Sequence, residues 1–211
     1  MKCFACSILG AASVVAVVGI GAATVGFAPA PAAPAEKVAA ATAFEVDTVH
    51  SAVVFKIQHA GVSNFYGTFA KTTGTVNWDS AKPEASTITI AIDAESISSG
   101  NAKRDQHLRN PDFFNAKEFP QITFKSTGMK KTGEKTFELA GELTLLGKTK
   151  PVTATLVWTG EKDAGPQFGY RIGLDATFTI KRSDFGMTYG VAQGSLSDEV
   201  TIMAGLAAVR K

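Results

Sequence analysis

Phe168-Gly-Tyr-Arg-Ile-Gly-Leu-Asp-Ala-Thr-Phe-Thr-Ile180 sets an apolar or aromatic side chain at every second position, with a small or polar residue between. A period of two places Phe168, Tyr170, Ile172, Leu174, Ala176, Phe178 and Ile180 on one face of a β-strand. At 3.3 Å per residue this run would reach about 40 Å, longer than strands usually are. A face of that length has to be buried, and the chain does not supply a matching number of helices to cover it. Closing the sheet on itself buries the face and removes both exposed edges.

The same alternation recurs on both sides of the stretch. Val53, Phe55, Ile57 and His59 share a face, with Lys56 and Gln58 on the other. Ile88, Ile90 and Ile92 repeat the pattern, as do Ile122 with Phe124, then Phe137, Leu139, Leu143 and Leu145, then Val152, Ala154, Leu156 and Trp158. Strand segments fall near 44–59, 66–78, 86–93, 121–129, 136–146, 149–159, 168–181 and 198–209, about eight in number, which is the size of barrel that encloses one small ligand. Gly67, Gly74, Gly141 and Gly173 lie inside these patterns, where glycine usually marks a bulge or a sharp bend.

One segment breaks the β pattern. Ala102 to Arg109 reads as a short helix, with Asn101 as its N-cap and Pro111 ending it. A helix interrupting a meandering sheet is expected to lie across one mouth of the barrel.

The first residues have a different character. Between Lys2 and Glu36 no charged side chain occurs, and Phe4 to Phe27 is built largely of Ala, Val, Gly, Ile and Leu. Residues 1–32 read as an export signal, with Ala30-Pro31-Ala32 as the cleavage site, or as an uncleaved anchor that contacts the membrane. Residues 33–43 form an Ala/Pro linker, and 44–211 form the folded domain.

Both cysteines, Cys3 and Cys6, lie in this leader, so the domain has no disulfide and no thiolate metal site. Burial must do the stabilising, and about 168 residues suffice for one compact domain. With 21 Lys and Arg against 19 Asp and Glu, charge is nearly balanced and gives no electrostatic footprint for nucleic acid.

Several blocks carry a resemblance. Asp47-Thr-Val-His50-Ser51-Ala-Val-Val-Phe55, Arg104-Asp-Gln-His-Leu-Arg-Asn-Pro-Asp-Phe-Phe114 and Phe119-Pro-Gln-Ile-Thr-Phe-Lys-Ser126 come first. Gly141-Glu-Leu-Thr-Leu-Leu-Gly-Lys-Thr-Lys-Pro-Val152, Ile180-Lys-Arg-Ser-Asp-Phe-Gly186 and Asp198-Glu-Val-Thr-Ile202 follow. In these the chain resembles the YceI-like family across essentially the whole domain. Ser98-Ser99-Gly100-Asn101 departs from the family's usual Asp/Thr-Gly-Asn, though Gly and Asn still supply turn chemistry.

The resemblance implies an all-β, lipocalin-like antiparallel barrel, periplasmic or secreted in a bacterium, whose apolar interior holds a polyisoprenoid or similar long-chain lipid. The inward faces Val53, Phe55, Ile57 and His59, with Phe69, Ile88, Ile90, Ile92 and Phe124, would then line the pore. Leu143, Leu156, Trp158, Leu174 and Phe178 complete the set. An aliphatic and aromatic lining suits a hydrocarbon chain rather than a sugar.

His50, Arg104, Asp105, His107 and Arg109, with Asp47 nearby, could surround a ligand head group, because planar guanidinium donors bind oxygen pairs. The same residues serve equally as salt bridges tying the helix to the barrel rim. Phe113, Phe114 and Phe119 sit in a proline-bounded loop, where they would plug one barrel end or line a portal.

His50, His59 and His107 lack the short spacing of a metal site. His59, alternating with Val53, Phe55 and Ile57, reads foremost as a buried barrel histidine. Ser51 beside His50 lacks a nucleophile elbow, and adjacent strand residues point to opposite faces. Asp184-Phe185-Gly186 reads as a turn after a strand. The sequence thus assigns no catalytic residue, no cofactor and no metal. An enzyme acting on an isoprenoid or its pyrophosphate through His50 or His107, and a packed ligand-free module, stay open as alternatives, as does a homodimer.

Overall fold

A computed structural model describes residues 41–211; the leader and most of the linker read from the sequence lie outside the described residues. The elements in chain order are β1 (Thr42–Val46), β2 (Ala52–His59), β3 (Ser63–Phe69), β4 (Thr72–Trp78), β5 (Thr87–Asp93), β6 (Ile97–Ser98), α1 (Ala102–Leu108), β7 (Gln121–Lys131), β8 (Thr136–Leu145), β9 (Lys148–Asp163), β10 (Tyr170–Lys181) and β11 (Leu196–Arg210). Alternating burial along β10 follows from its sequence: Ile172 and Leu174 are buried, Asp175 and Thr177 exposed.

Every pairing is antiparallel. The ladder runs β1, β4, β5, β7, β8, β9, β10, β11 and closes where β11 meets β1. β2 continues β1 along the same partner, pairing with β11 from Gly205 to Leu196, while β3 pairs with β2 as β4 pairs with β1. The pairs β1/β2 and β3/β4 therefore behave as two long strands, each broken once, and the barrel has eight staves. The first break is a turn in which the Asp47 carboxylate accepts the backbone N–H groups of Val49 and His50. The second is filled from the β5–β6 connection, where Ser96 accepts Ala70 N–H at its carbonyl and Lys71 N–H at its hydroxyl.

The long strand read from the sequence begins two residues late. Phe168 is exposed in a turn in which Gly169, at a φ of 67°, donates to the Gly165 carbonyl, so pairing starts at Tyr170. Among the in-strand glycines, Gly173 lies at a register shift against β9 and Gly141 lies opposite the shift in β7. Gly67 sits in regular pairing with Phe55 and marks no bulge.

α1 is capped as its sequence requires, the Asn101 side chain accepting from Arg104 N–H at 3.1 Å. Asp184-Phe185-Gly186 closes a 3₁₀ turn after β10, with Gly186 left-handed at φ 92°.

The interior divides in two along the barrel. One end is solid: Phe44, Val76, Trp78, Ile88, Phe137, Leu156, Ile172 and Leu174 pack together. Trp78 meets Phe137 edge-on with centroids 6.0 Å apart and Trp158 at 5.4 Å. The other end carries a second apolar shell of Val53, Phe55, Phe69, Leu143, Leu145, Phe185 and Val200, and this shell surrounds empty space.

Candidate functional site

The space is a cavity of about 460 Å³, within the roughly 300–1,000 Å³ of small-molecule sites. Its deep wall is hydrocarbon: Val53 and Phe55 from β2, Phe69 from β3, Ile92 from β5, Ile122 from β7, Leu143 and Leu145 from β8, Phe178 from β10, and Val200 and Ile202 from β11. Each points inward because strand residues two apart share a face.

Of the side chains expected to line a pore, Val53, Phe55, Ile57, His59, Phe69, Ile92, Leu143 and Phe178 line this cavity. Ile88, Ile90, Leu156, Trp158 and Leu174 do not; they belong to the solid end or pack against it. Phe124 bridges the two halves, packing against both. The expected barrel-long pore is thus shortened to one end, because Trp78, Phe137 and Phe44 fill the other. His59 is exposed at the end of β2 on the cavity rim, not buried, since pairing with β11 becomes irregular between Leu196 and Val200.

α1 and its following loop cover the mouth. Arg104, His107 and Leu108 line the cavity from the helix, and Phe113 and Phe114 from the loop. Phe114 meets Phe69 edge-on at 5.2 Å, while His107 meets Phe113 and Tyr189 edge-on and those two rings tilt against each other, with centroids 5.0 to 5.2 Å apart. Phe119 instead lies against Gly147.

The polar cluster read from the sequence is not brought together. His50 Nδ1 lies 2.8 Å from an Asp47 oxygen that also accepts Arg171 Nη1 at 2.7 Å. The Arg171 guanidinium, followed by His50, holds the Asp47 carboxyl well below the usual carboxylate range. This trio lies at the β1–β2 break and does not line the cavity. Asp105 accepts the backbone and hydroxyl of Ser99, and Arg109 donates to the carbonyls of Glu95 and Ile97. Both fasten the helix to the segment from Glu95 to Ser99 that contains β6. Of the cluster only Arg104 and His107 reach the cavity, Arg104 spanning Ser99 and the face of Phe65 at 4.2 Å, His107 with Nε2 2.9 Å from Asp112. Ser51 Oγ is spent on the Ala207 carbonyl. Among the described residues no three His, Cys, Asp or Glu side chains gather as a metal site.

Sequence reading missed Arg182, Met187, Tyr189, Ser195, Val200 and Ile202, all on the cavity wall. Val200 and Ile202 were legible from alternation in the last strand. Arg182 follows a strand end and reads as a solvated charge, yet it is only 1% exposed.

Residues 44–208 match the YceI-like domain. The chain belongs to the YceI-like family. A UPF0312 protein of Azotobacter vinelandii is 42% identical over 163 residues, covering 77% of this chain and 83% of that one. Among solved structures, BcnA of Burkholderia cenocepacia superposes with a TM-score of 0.70 at 27% identity, covering 78% of this chain and 99% of that one. A polyisoprenoid-binding domain from Saccharophagus degradans, implicated in plant cell wall breakdown, has a TM-score of 0.63 at 16% identity and covers 81% and 99%. It shares the YceI-like barrel fold.

Proposed function

We propose that this YceI-like protein binds a long apolar lipid, a polyisoprenoid or a comparable chain, in its barrel, and carries or sequesters it as an exported periplasmic or secreted protein. The observation that carries the reading is the 460 Å³ cavity with its hydrocarbon deep wall. Contact there favours binding by about 25 cal/mol per Å² of apolar surface buried, less the cost of ordering a flexible chain. The barrel shared with the Saccharophagus degradans polyisoprenoid-binding domain supports the same ligand class, and the YceI-like family and the uncharged run at residues 4–27 support export.

The reading favours carriage over turnover. Of the two histidines through which an isoprenoid-processing enzyme could act, only His107 reaches the cavity, while His50 is held by Asp47 away from it. The solid end also limits the ligand: a chain enters one half of the barrel, and any remainder projects past the rim.

Native mass spectrometry of the full chain purified from a bacterial periplasm, followed by extraction and identification of the bound molecule, tests this. A stoichiometric long-chain lipid, absent from folded Phe55→Asp, is expected. No mass increment from several hosts would refute it.

A further inference from the structure

The cavity wall is chemically lopsided. Its deep part is hydrocarbon, and the polar side chains that line it are His59, Arg104, His107, Tyr189, Ser195 and Arg182. No lining residue is acidic. Five of the six are at least partly exposed, while Arg182 is buried.

Arg182 follows directly on β10 and is folded under the 186–196 segment. Its Nε donates to the Ser197 carbonyl at 2.8 Å, Nη1 to Met187 at 3.2 Å and Nη2 to Leu196 at 3.3 Å. A guanidinium has five N–H donors, so two hydrogens remain after these bonds. Backbone carbonyls satisfy hydrogen bonds but carry no net charge. Arg182 makes no ion pair among the described residues, and the nearby Asp198 spends its oxygens on the backbone and hydroxyl of Ser183. Burial pulls the Arg182 pKa down, partly opposed by the field of Asp198.

A buried charge with no ion-pair contact is costly, and a counter-charge placed beside it in a dry site recovers much of that cost. The place open to such a group is the cavity that Arg182 lines. We propose that Arg182 is the anchor for an anionic head group, a carboxylate or a phosphate, on the lipid whose tail lies against the deep wall. The proposal rests on the lipid-binding reading and adds the chemistry of the ligand's polar end. Arg182 is bonded to the 186–196 segment, whose Tyr189 meets His107 and Phe113 at the mouth, and Arg104 from α1 adds a second positive charge to the lining, so the head is placed toward the mouth and the tail toward the solid end.

The test uses one tail with three heads: geranylgeraniol, geranylgeranoic acid and geranylgeranyl phosphate, titrated into delipidated full-length protein. The acid or the phosphate is expected to bind about tenfold or more tighter than the alcohol, the scale of a charge-assisted hydrogen bond. Which of the two binds tighter tells carboxylate from phosphate. Arg182→Met is expected to lose this preference, and Arg182→Lys to keep part of it.

Equal affinity for all three heads, or a preference that survives in Arg182→Met, overturns the inference and leaves the lipid reading standing. No binding of any of the three overturns the lipid reading itself.

Because Arg182 also holds the 186–196 segment, a readout in the unaltered protein accompanies the variants. Geranylgeranoic acid carrying a ¹³C-labelled carboxyl, bound and titrated by NMR, is expected to ionise at lower pH than in a neutral detergent micelle. His59, Arg104, His107 and Tyr189 at the mouth, and Lys181, Asp184 and Asp198 beside Arg182, are other charged or titratable groups near it. A bound carboxyl that ionises no lower than in the micelle overturns the proposal.

Discussion

The ring of Phe55 occupies the space that a side chain on Gly67 would take, and the two residues are direct partners across β2 and β3. A glycine in regular pairing here serves the aromatic ring rather than a backbone bend, letting Phe55 lie low on the wall and leaving the cavity open above it. Gly67→Ala is expected to lift the ring into the cavity. The strain should cost about 1–3 kcal/mol, and lipid capacity should fall by more than the loss of folded protein explains. Native mass spectrometry beside a urea titration separates the two effects. Full occupancy at lowered stability would show that the ring does not bound the site.

Phe137 and Trp78, in edge-on contact 6.0 Å apart, make the solid end of the barrel. Phe137→Ala should destabilise by about 3–5 kcal/mol, the usual cost of an aromatic deleted from a packed core. If the packing there is what shortens the cavity, the variant should also admit longer chains than the wild type. Extraction from the same host gives both chain-length distributions, and identical distributions would mean that ligand length is set elsewhere.

The barrel was legible because Tyr170 to Lys181 alternates without a break, and a buried face so long leaves few architectures. The division between solid and hollow halves was not. Ile88 and Ile92 share one strand face and one alternation, yet Ile88 packs into the solid end while Ile92 lines the cavity. What separates them is how much volume Trp78 on the neighbouring strand, and Phe44 and Phe137 on strands distant in sequence, contribute, which period-two reading does not contain. The polar cluster scattered for a related reason. Residues two apart in sequence, such as Asp105 and His107, emerge on different sides of α1, one toward Ser99 and the other toward the cavity. Arg182 escaped because arginines are mostly exposed and a charge after a strand is ordinarily solvated.

Asp47 links β1 to β10 by accepting from Arg171 at 2.7 Å, and its carboxyl is depressed in the native state. A depressed native pKa means that the ionised form is favoured by folding. The contribution is therefore complete above the unfolded value near 3.8 and is lost as pH falls through the native value. Asp47→Asn should be less stable at neutral pH by roughly 1.5–3 kcal/mol, as for hydrogen bonds to charged groups. The gap from wild type should narrow progressively below about pH 4. Urea midpoints at several pH values measure it, and a constant gap would deny the ionic part.

The helix over the mouth depends on its cap, since Asn101 satisfies Arg104 N–H at the first turn. Asn101→Ala should cost about 1 kcal/mol, and Asn101→Asp very little. Because the helix is a single short element at the edge of the barrel, the loss should be local. Hydrogen exchange at residues 102–108 should quicken while the β9–β10 ladder keeps its protection. Uniform acceleration of both would make the helix part of the global unfolding unit.

Tyr189 contacts the mouth through His107 and Phe113, with centroids at 5.2 and 5.0 Å, while remaining half exposed itself. Two such aromatic contacts are worth about 0.5–1.5 kcal/mol each. They join the 186–196 segment to α1 across the cavity opening, so they oppose passage in both directions. Tyr189→Ala should therefore raise the entry and exit rates of a bound chain together, by roughly tenfold, with little change in Kd. Phe55→Ala removes contact from the deep wall instead and should act mainly through a faster exit. Stopped-flow exchange of a fluorescent isoprenoid analogue distinguishes the two patterns. If Tyr189→Ala raised only the exit rate, Tyr189 would be a contact for the ligand rather than a latch on the mouth.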